Sequence, residues 1–245
     1  MTDTADATGT DLTTDATLAE IVRRHPGSTR ILEAHGLDYC CGGRRSLAEA
    51  AGAAGIDPAV VLDDLAATEP EPVPDWDGLG PAELADHIEG THHAYLHAEL
   101  GRLSALAAKV AGVHGDRHPE LHEVARLYEA LRADLEPHLL KEERVLFPMI
   151  RELAVADAPP SFHCGSLRNP ISVMMGEHDT AGDLLERLRA ATGGYATPAD
   201  GCASYQALYE GLAQVEADTH LHVHKENNVL FPAVVALEDR LAAAG

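Results

Sequence analysis

His138 and Glu142 stand four residues apart, and the same spacing recurs at His222 and Glu226. On an α-helix, residues i and i+4 share a face. Each pair can therefore aim an imidazole and a carboxylate at one point. The surroundings repeat as well: HLLKEERVLFPMI from His138 matches HVHKENNVLFPAV from His222. Lys141-Glu142 aligns with Lys225-Glu226, and Val145-Leu146-Phe147-Pro148 with Val229-Leu230-Phe231-Pro232. Identities in register, including a mid-helix Phe-Pro, mark an internal duplication rather than chance likeness between two amphipathic helices.

The duplication selects two more histidines. His178 is the one histidine of its predicted helix, and the equivalent position in the first half falls at His93. His220 and His224 flank His222, but they lie about 200° around the helix and should face away. The constellation is His93, His138, Glu142, His178, His222 and Glu226. Imidazole and carboxylate together suit iron, manganese or zinc, and not a thiolate-seeking metal. The ligand count points to two ions. If both glutamates bridge, each ion keeps open positions for solvent, an oxide bridge or a substrate such as dioxygen, nitric oxide or peroxide. A purely structural zinc site is the rival, but zinc favours a closed four-ligand shell, which this set overfills. Glu177, beside His178, and Asp134, one turn before His138, are placed to hydrogen-bond an imidazole or relay protons.

Cys40-Cys41-Gly42-Gly43 is a second reactive feature. Adjacent thiols followed by glycines allow a tight turn, and Arg44-Arg45 should favour thiolate. Cys164 and Cys202 show no motif and read as incidental. Four scattered or adjacent cysteines make a poor disulfide framework.

These residues need long helices to position them. Of 245 residues, 45% are hydrophobic but only 4% aromatic, so Ala, Leu and Val must fill the core. That composition favours an all-α fold. Residues 1–16 read as an acidic flexible tail. Residues 17–67 read as a small helical domain, with capping boxes at Thr17/Glu20 and Ser46/Glu49, a helix from Ser28 stopping at Gly36, and an Asp57-Pro58 helix start. Residues 68–79 are a Pro-rich linker. Residues 80–241 form a C-terminal four-helix up-down bundle, its helices near Pro81–Val113, Pro119–Leu153, Pro170–Ala191 and Ala199–Leu241. The net charge of −22 argues against nucleic acid and anionic membranes. No apolar run is long enough to span a bilayer, and the polar N-terminus lacks a secretory pattern.

The segment LDYCCGG (Leu37 to Gly43) resembles the N-terminal signature of the iron-sulfur cluster repair di-iron proteins, also called repair of iron centres. HLLKEERVLFP, ISVMMGEHD and HVHKENNVLFP resemble the hemerythrin-like domain of that family, and the likeness covers about residues 17–240. It implies two non-haem iron ions, oxo- or hydroxo-bridged, held by the six residues derived above. It implies a cytoplasmic protein that restores iron-sulfur clusters damaged by nitric oxide or oxidants, by donating iron, reducing nitric oxide, or both. Cys40, Cys41 and Glu177 would be its working residues, with the small domain carrying its thiols toward the metals. Damaged or apo iron-sulfur proteins would be the partners, and a homodimer is left open. The loop from Pro159 to Arg168 is longer than the family pattern, and its Cys164 falls outside it. A hemerythrin-like dioxygen-binding or sensing protein and a strict nitric oxide reductase are the alternatives.

Overall fold

The computed structural model describes residues 12–25, 27–67, 76 and 78–244. It divides into two compact units, Met1–Asp77 and Gly78–Gly245. Most of the expected tail and of the expected linker lies outside the described residues. Among the described residues there are eight helices and no strand, only two isolated bridges, Thr17–Ser46 and Phe162–Gly165. None of those helices is long and apolar enough to cross a membrane.

The small unit holds α1 (Leu18–Arg24), α2 (Ser28–Ala34), α3 (Leu47–Ala54) and α4 (Pro58–Ala66). Short helices are marginal alone, and caps fix their starts. Thr17 and Ser46 each accept from the amide three residues on, while Glu20 and Glu49 reach back to the cap amides. Asp57 caps α4 ahead of Pro58. The two cap residues face each other in the Thr17–Ser46 bridge. The amides of Ala48 and Leu47 donate to the carbonyls of Thr14 and Ala16, so the packed unit reaches back before Thr17. Leu18, Ile21, Leu32, Leu47 and Val61 are fully buried. Each adds about 1.5–3 kcal/mol of burial.

The second unit is a four-helix up-down bundle. α5 covers 81–114, α6 120–154, α7 168–191 and α8 203–244. Short connections make consecutive helices antiparallel neighbours, and α8 closes the ring on α5. A leucine-rich core runs through Leu100, Leu103, Leu127, Leu131, Leu185 and Leu208.

Regular helices were expected, but three of the four are not continuous. α5 contains a π turn at Glu89–His93, α6 one at Glu142–Leu146 and α8 one at Glu226–Leu230. In the last two, the amides of Phe147 and Phe231 donate to the carbonyls five residues back, those of Glu142 and Glu226. The next residue is Pro148 or Pro232, which has no N–H to continue the ladder. The wider turn therefore absorbs the mid-helix prolines. α8 also starts later than expected. The Gly201 amide closes a turn on the Pro198 carbonyl at 2.9 Å, and the helix begins beyond it, with Cys202 at the residue before its first turn.

Candidate metal centre

The six selected side chains converge. α5 supplies His93, α6 His138 and Glu142, α7 His178, and α8 His222 and Glu226. All six are at most 2% exposed. They form two overlapping groups: His93, Glu142, His222 and Glu226, and His138, Glu142, His178 and Glu226. Both glutamates belong to both groups. In each group the donor atoms lie within 4.8 Å of one another. Glu142 Oε2 stands 3.4 Å from His93 Nε2 and 3.3 Å from His138 Nε2. Glu226 turns Oε1 to His222 Nε2 at 3.2 Å and Oε2 to His178 Nε2 at 3.1 Å. Three of the six, His93, Glu142 and Glu226, sit in the π turns, which bring them inward at the same level. Phe147 stacks on His93 with centroids 5.3 Å apart, and Phe231 on His178 at 6.1 Å.

The outer nitrogens of three of the four imidazoles are engaged. His138 Nδ1 donates to Glu177 Oε2 at 2.9 Å, and Glu177 also pairs with Lys141. His93 Nδ1 donates to Glu143 Oε1 at 3.1 Å, and His178 Nδ1 to Asn227 Oδ1 at 2.9 Å. These bonds put the protons on Nδ1 and turn the Nε2 lone pairs inward. Asp134 makes no such bond: its buried Oδ2 has no hydrogen-bond partner among the described residues.

The interior donors fit metal ions. Among the described residues, no hydrogen bond reaches both oxygens of Glu142 and of Glu226, His93 Nε2 or His222 Nε2, though all are buried. Unsatisfied buried polar atoms are costly. The Nε2 atoms of His138 and His178 face each other at 3.2 Å, so a proton or a metal ion must lie between the two lone pairs. Two donors each about 2.1 Å from one ion stand about 3.0–3.4 Å apart, and the observed separations are of that size.

Electrostatics agree. Burial, and then the Glu226 charge, push the Glu142 carboxyl up, but His138 and His93 outweigh both and hold it below its ordinary value. Burial likewise pushes Glu226 up, and His222 and His178 overcome it, leaving that carboxyl well below the usual range. His138 responds in the opposite sense. Burial lowers it, but Glu142, Glu226 and Glu177 together bring it up to about 9.

The description "Hemerythrin HHE cation binding domain" matches residues 84–234, and "Domain of Unknown function (DUF542)" matches residues 14–69. The iron-sulfur cluster repair protein YtfE of Escherichia coli O157:H7 is 35% identical over 225 residues, covering 91% of this chain and 98% of that protein. YtfE of Shigella boydii serotype 4 is 34% identical over the same shares. The chain belongs to the iron-sulfur cluster repair protein family. Its bundle is the metal-binding hemerythrin domain of that family.

In this repair-family chain the vicinal thiols are organised by a residue that motif reading missed. Asp38 Oδ1 accepts from the amides of Cys40 and Cys41 at 3.0 and 2.9 Å and from Cys40 Sγ at 3.1 Å. Asp38 Oδ2 accepts from the Gly42 amide at 2.9 Å. A Cβ on Gly42 would stand 2.7 Å from the Asp38 carbonyl oxygen, so the turn requires glycine there. Asp38, Cys40 and Cys41 form a third group with metal-holding geometry. The expected thiolate at Cys40 is not found. Its neighbour Cys41, then burial, then Asp38 raise the thiol well above its ordinary value. Arg45 is turned to the Glu49 carbonyl at 2.8 Å.

Cys202, read as incidental, lies in a polar cluster. Arg117 donates to His114 Nδ1 at 3.4 Å, so His114 donates from Nε2 to Cys202 Sγ, at 3.2 Å. The amides at the start of α8, Tyr205 first, hold this thiol below its ordinary value. Cys164 faces the sulfur of Met149 at 3.9 Å. Its loop is tied to α8 through Glu238, which accepts from Ser166 Oγ and the Leu167 amide.

Proposed function

We propose that His93, Glu142, His222 and Glu226 hold one iron ion and that His138, Glu142, His178 and Glu226 hold a second. On this reading the protein acts in the cytoplasm to repair iron-sulfur clusters damaged by nitric oxide or oxidants. The observation that supports it best is that two buried glutamates are common to both groups. Glu226 in particular turns one oxygen to a histidine of each.

When bound, an iron pair supplies one-electron chemistry and open positions for nitric oxide, dioxygen or peroxide. The chain supplies the rest. Glu177, Glu143 and Asn227 hold imidazole protons on Nδ1 and so orient the rings. Phe147 and Phe231 cover the outer faces of His93 and His178 and keep water from them. Asp38, Cys40 and Cys41 form a small oxygen- and sulfur-bearing site that takes up iron in transit or nitric oxide. Damaged or apo iron-sulfur proteins are the clients.

Metal analysis with an optical spectrum in air tests the reading. About two irons per chain are expected. Glu142→Ala and Glu226→Ala should lose iron while the helices persist, and full retention in both variants would refute the ligand assignment. The protein should also restore a client whose cluster nitric oxide has damaged. Loss of that restoration in a Cys40→Ser/Cys41→Ser variant supports repair through the thiols; unchanged activity favours a dioxygen-binding or sensing protein. Repeated turnover to nitrous oxide with an electron donor supports catalytic reduction, whereas a single stoichiometric burst counts against it.

A further inference from the structure

The internal repeat also relates residues around the six. Lys141 corresponds to Lys225, Glu143 to Asn227, and Glu177 to His92, each occupying the same place beside its partner histidine or glutamate. Three of the four imidazoles have an outer hydrogen-bond partner: His138 has Glu177, His93 has Glu143 and His178 has Asn227. His222 does not. Where symmetry would put a carboxylate against its Nδ1 stands His92, whose ring lies flat on that of His222 at 5.5 Å with 6° between planes. His222 Nδ1 has no hydrogen-bond partner among the described residues.

His92 is committed elsewhere. Its Nδ1 donates to Asp218 at 2.8 Å, and its Nε2 accepts from Lys225 Nζ at 2.8 Å. Lys225 is 3% exposed and also donates to His87 Nε2 at 2.9 Å. Its counterpart Lys141 is 47% exposed and paired with Glu177. One half of the centre thus has both imidazoles supported and its lysine answered by a carboxylate at the surface. The other half has one unsupported imidazole, and its lysine is buried against His92 and His87.

We infer that the two metal positions are unequal, and that the ion held by His93 and His222 is released first when iron leaves the protein. This rests on the di-iron reading above. An outer hydrogen bond fixes a ligand ring and raises its basicity, and loss of such a partner costs about 10–100-fold in metal affinity.

The test is release of ferrous ion from the fully loaded protein into excess ferrous chelator, without oxygen. Two equal phases separated by about tenfold or more are expected. His92→Glu places a carboxylate where Glu177 stands in the other half, and should slow the fast phase about 10–100-fold. Glu177→His should make the second ion leave fast as well. His92→Gln, which offers an uncharged amide oxygen to the same Nδ1 of His222, should slow the fast phase and serves if His92→Glu does not fold. Single-site proteins assign the phases: the ion remaining in His138→Ala should leave fast and that remaining in His222→Ala slowly. A single phase for two ions, a fast phase untouched by either His92→Glu or His92→Gln, or the reverse assignment would overturn the inference while leaving the di-iron reading intact. Failure of the wild type to bind a second ion would strike that reading itself.

Discussion

Glu226 lies between His178 and His222, with Oε2 3.1 Å from the first and Oε1 3.2 Å from the second. These histidines come from different helices and fall in different metal groups. A glutamate that faces both differs in consequence from a histidine that faces one. Glu226→Ala should lower iron content from about two per chain toward zero, whereas His178→Ala should leave about one. Metal analysis beside protein quantification decides it; equal losses would show that Glu226 is not shared.

Phe147 should couple folding to metal retention. Its ring is fully buried and stacked on His93. Truncating a buried Phe costs about 3–5 kcal/mol, so Phe147→Ala should lower the midpoint of thermal unfolding. It should also weaken metal binding, because His93 loses the wall that holds its ring. Phe147→Leu should recover most of the stability and little of the metal affinity. If Leu restores both equally, the ring has no orienting role.

Metal uptake should release protons. His138 is brought up to about 9 in the metal-free protein, mainly against burial by Glu142 and Glu226, so it is protonated at pH 7.5 and must lose that proton to bind an ion. Calorimetry in buffers of different ionisation enthalpy should find about one proton or more released per chain at pH 7.5, and fewer above pH 9. Stability of the metal-free form follows the same group. The contribution of His138 is complete below its unfolded value near 6.5 and is lost as pH rises through about 9. Proton release independent of pH would contradict this.

The thiols should rank in an order that runs against their motifs. Cys40 is buried and raised well above its ordinary value, while Cys202 is exposed and lowered. Thiolate is the species that alkylates. With iodoacetamide at pH 7, Cys202 should be modified faster than Cys40, by about tenfold or more. His114→Phe should slow Cys202 by removing the donor at 3.2 Å. Mass spectrometry of each cysteine peptide measures both rates.

Much of the centre was legible because duplication turns spacing into geometry. The His-x-x-x-Glu pairs and their repeated neighbours drew six residues from a chain containing 15 histidines, and those six side chains meet. The short helices were legible because Thr17, Ser46 and Asp57 write their caps locally. The π turns were not, since a five-residue step in the hydrogen-bond ladder depends on what the turn packs against. In α6 and α8 the only trace was the proline after the phenylalanine, and the turn in α5 left none. The outer partners were half legible. Glu177 could be found beside His178, but Glu143, Asn227 and His92 emerge only when the repeat is applied to neighbours as well as ligands. Asp38 and the His114–Cys202 pair were invisible, the first because its role is to cap a turn, the second because its members lie far apart in sequence.

The π turn at Glu142–Leu146 holds one residue more than an ordinary helical ladder would. Deleting one residue there would close it to an ordinary ladder and, because the wide turn takes up about one residue's 100° of rotation, leave Phe147, Ile150 and Leu153 on the faces they now bury, while Glu142 loses the turn that carries it inward. A one-codon deletion would therefore spare the packing of the helical arm and fall on the metal-holding turn alone.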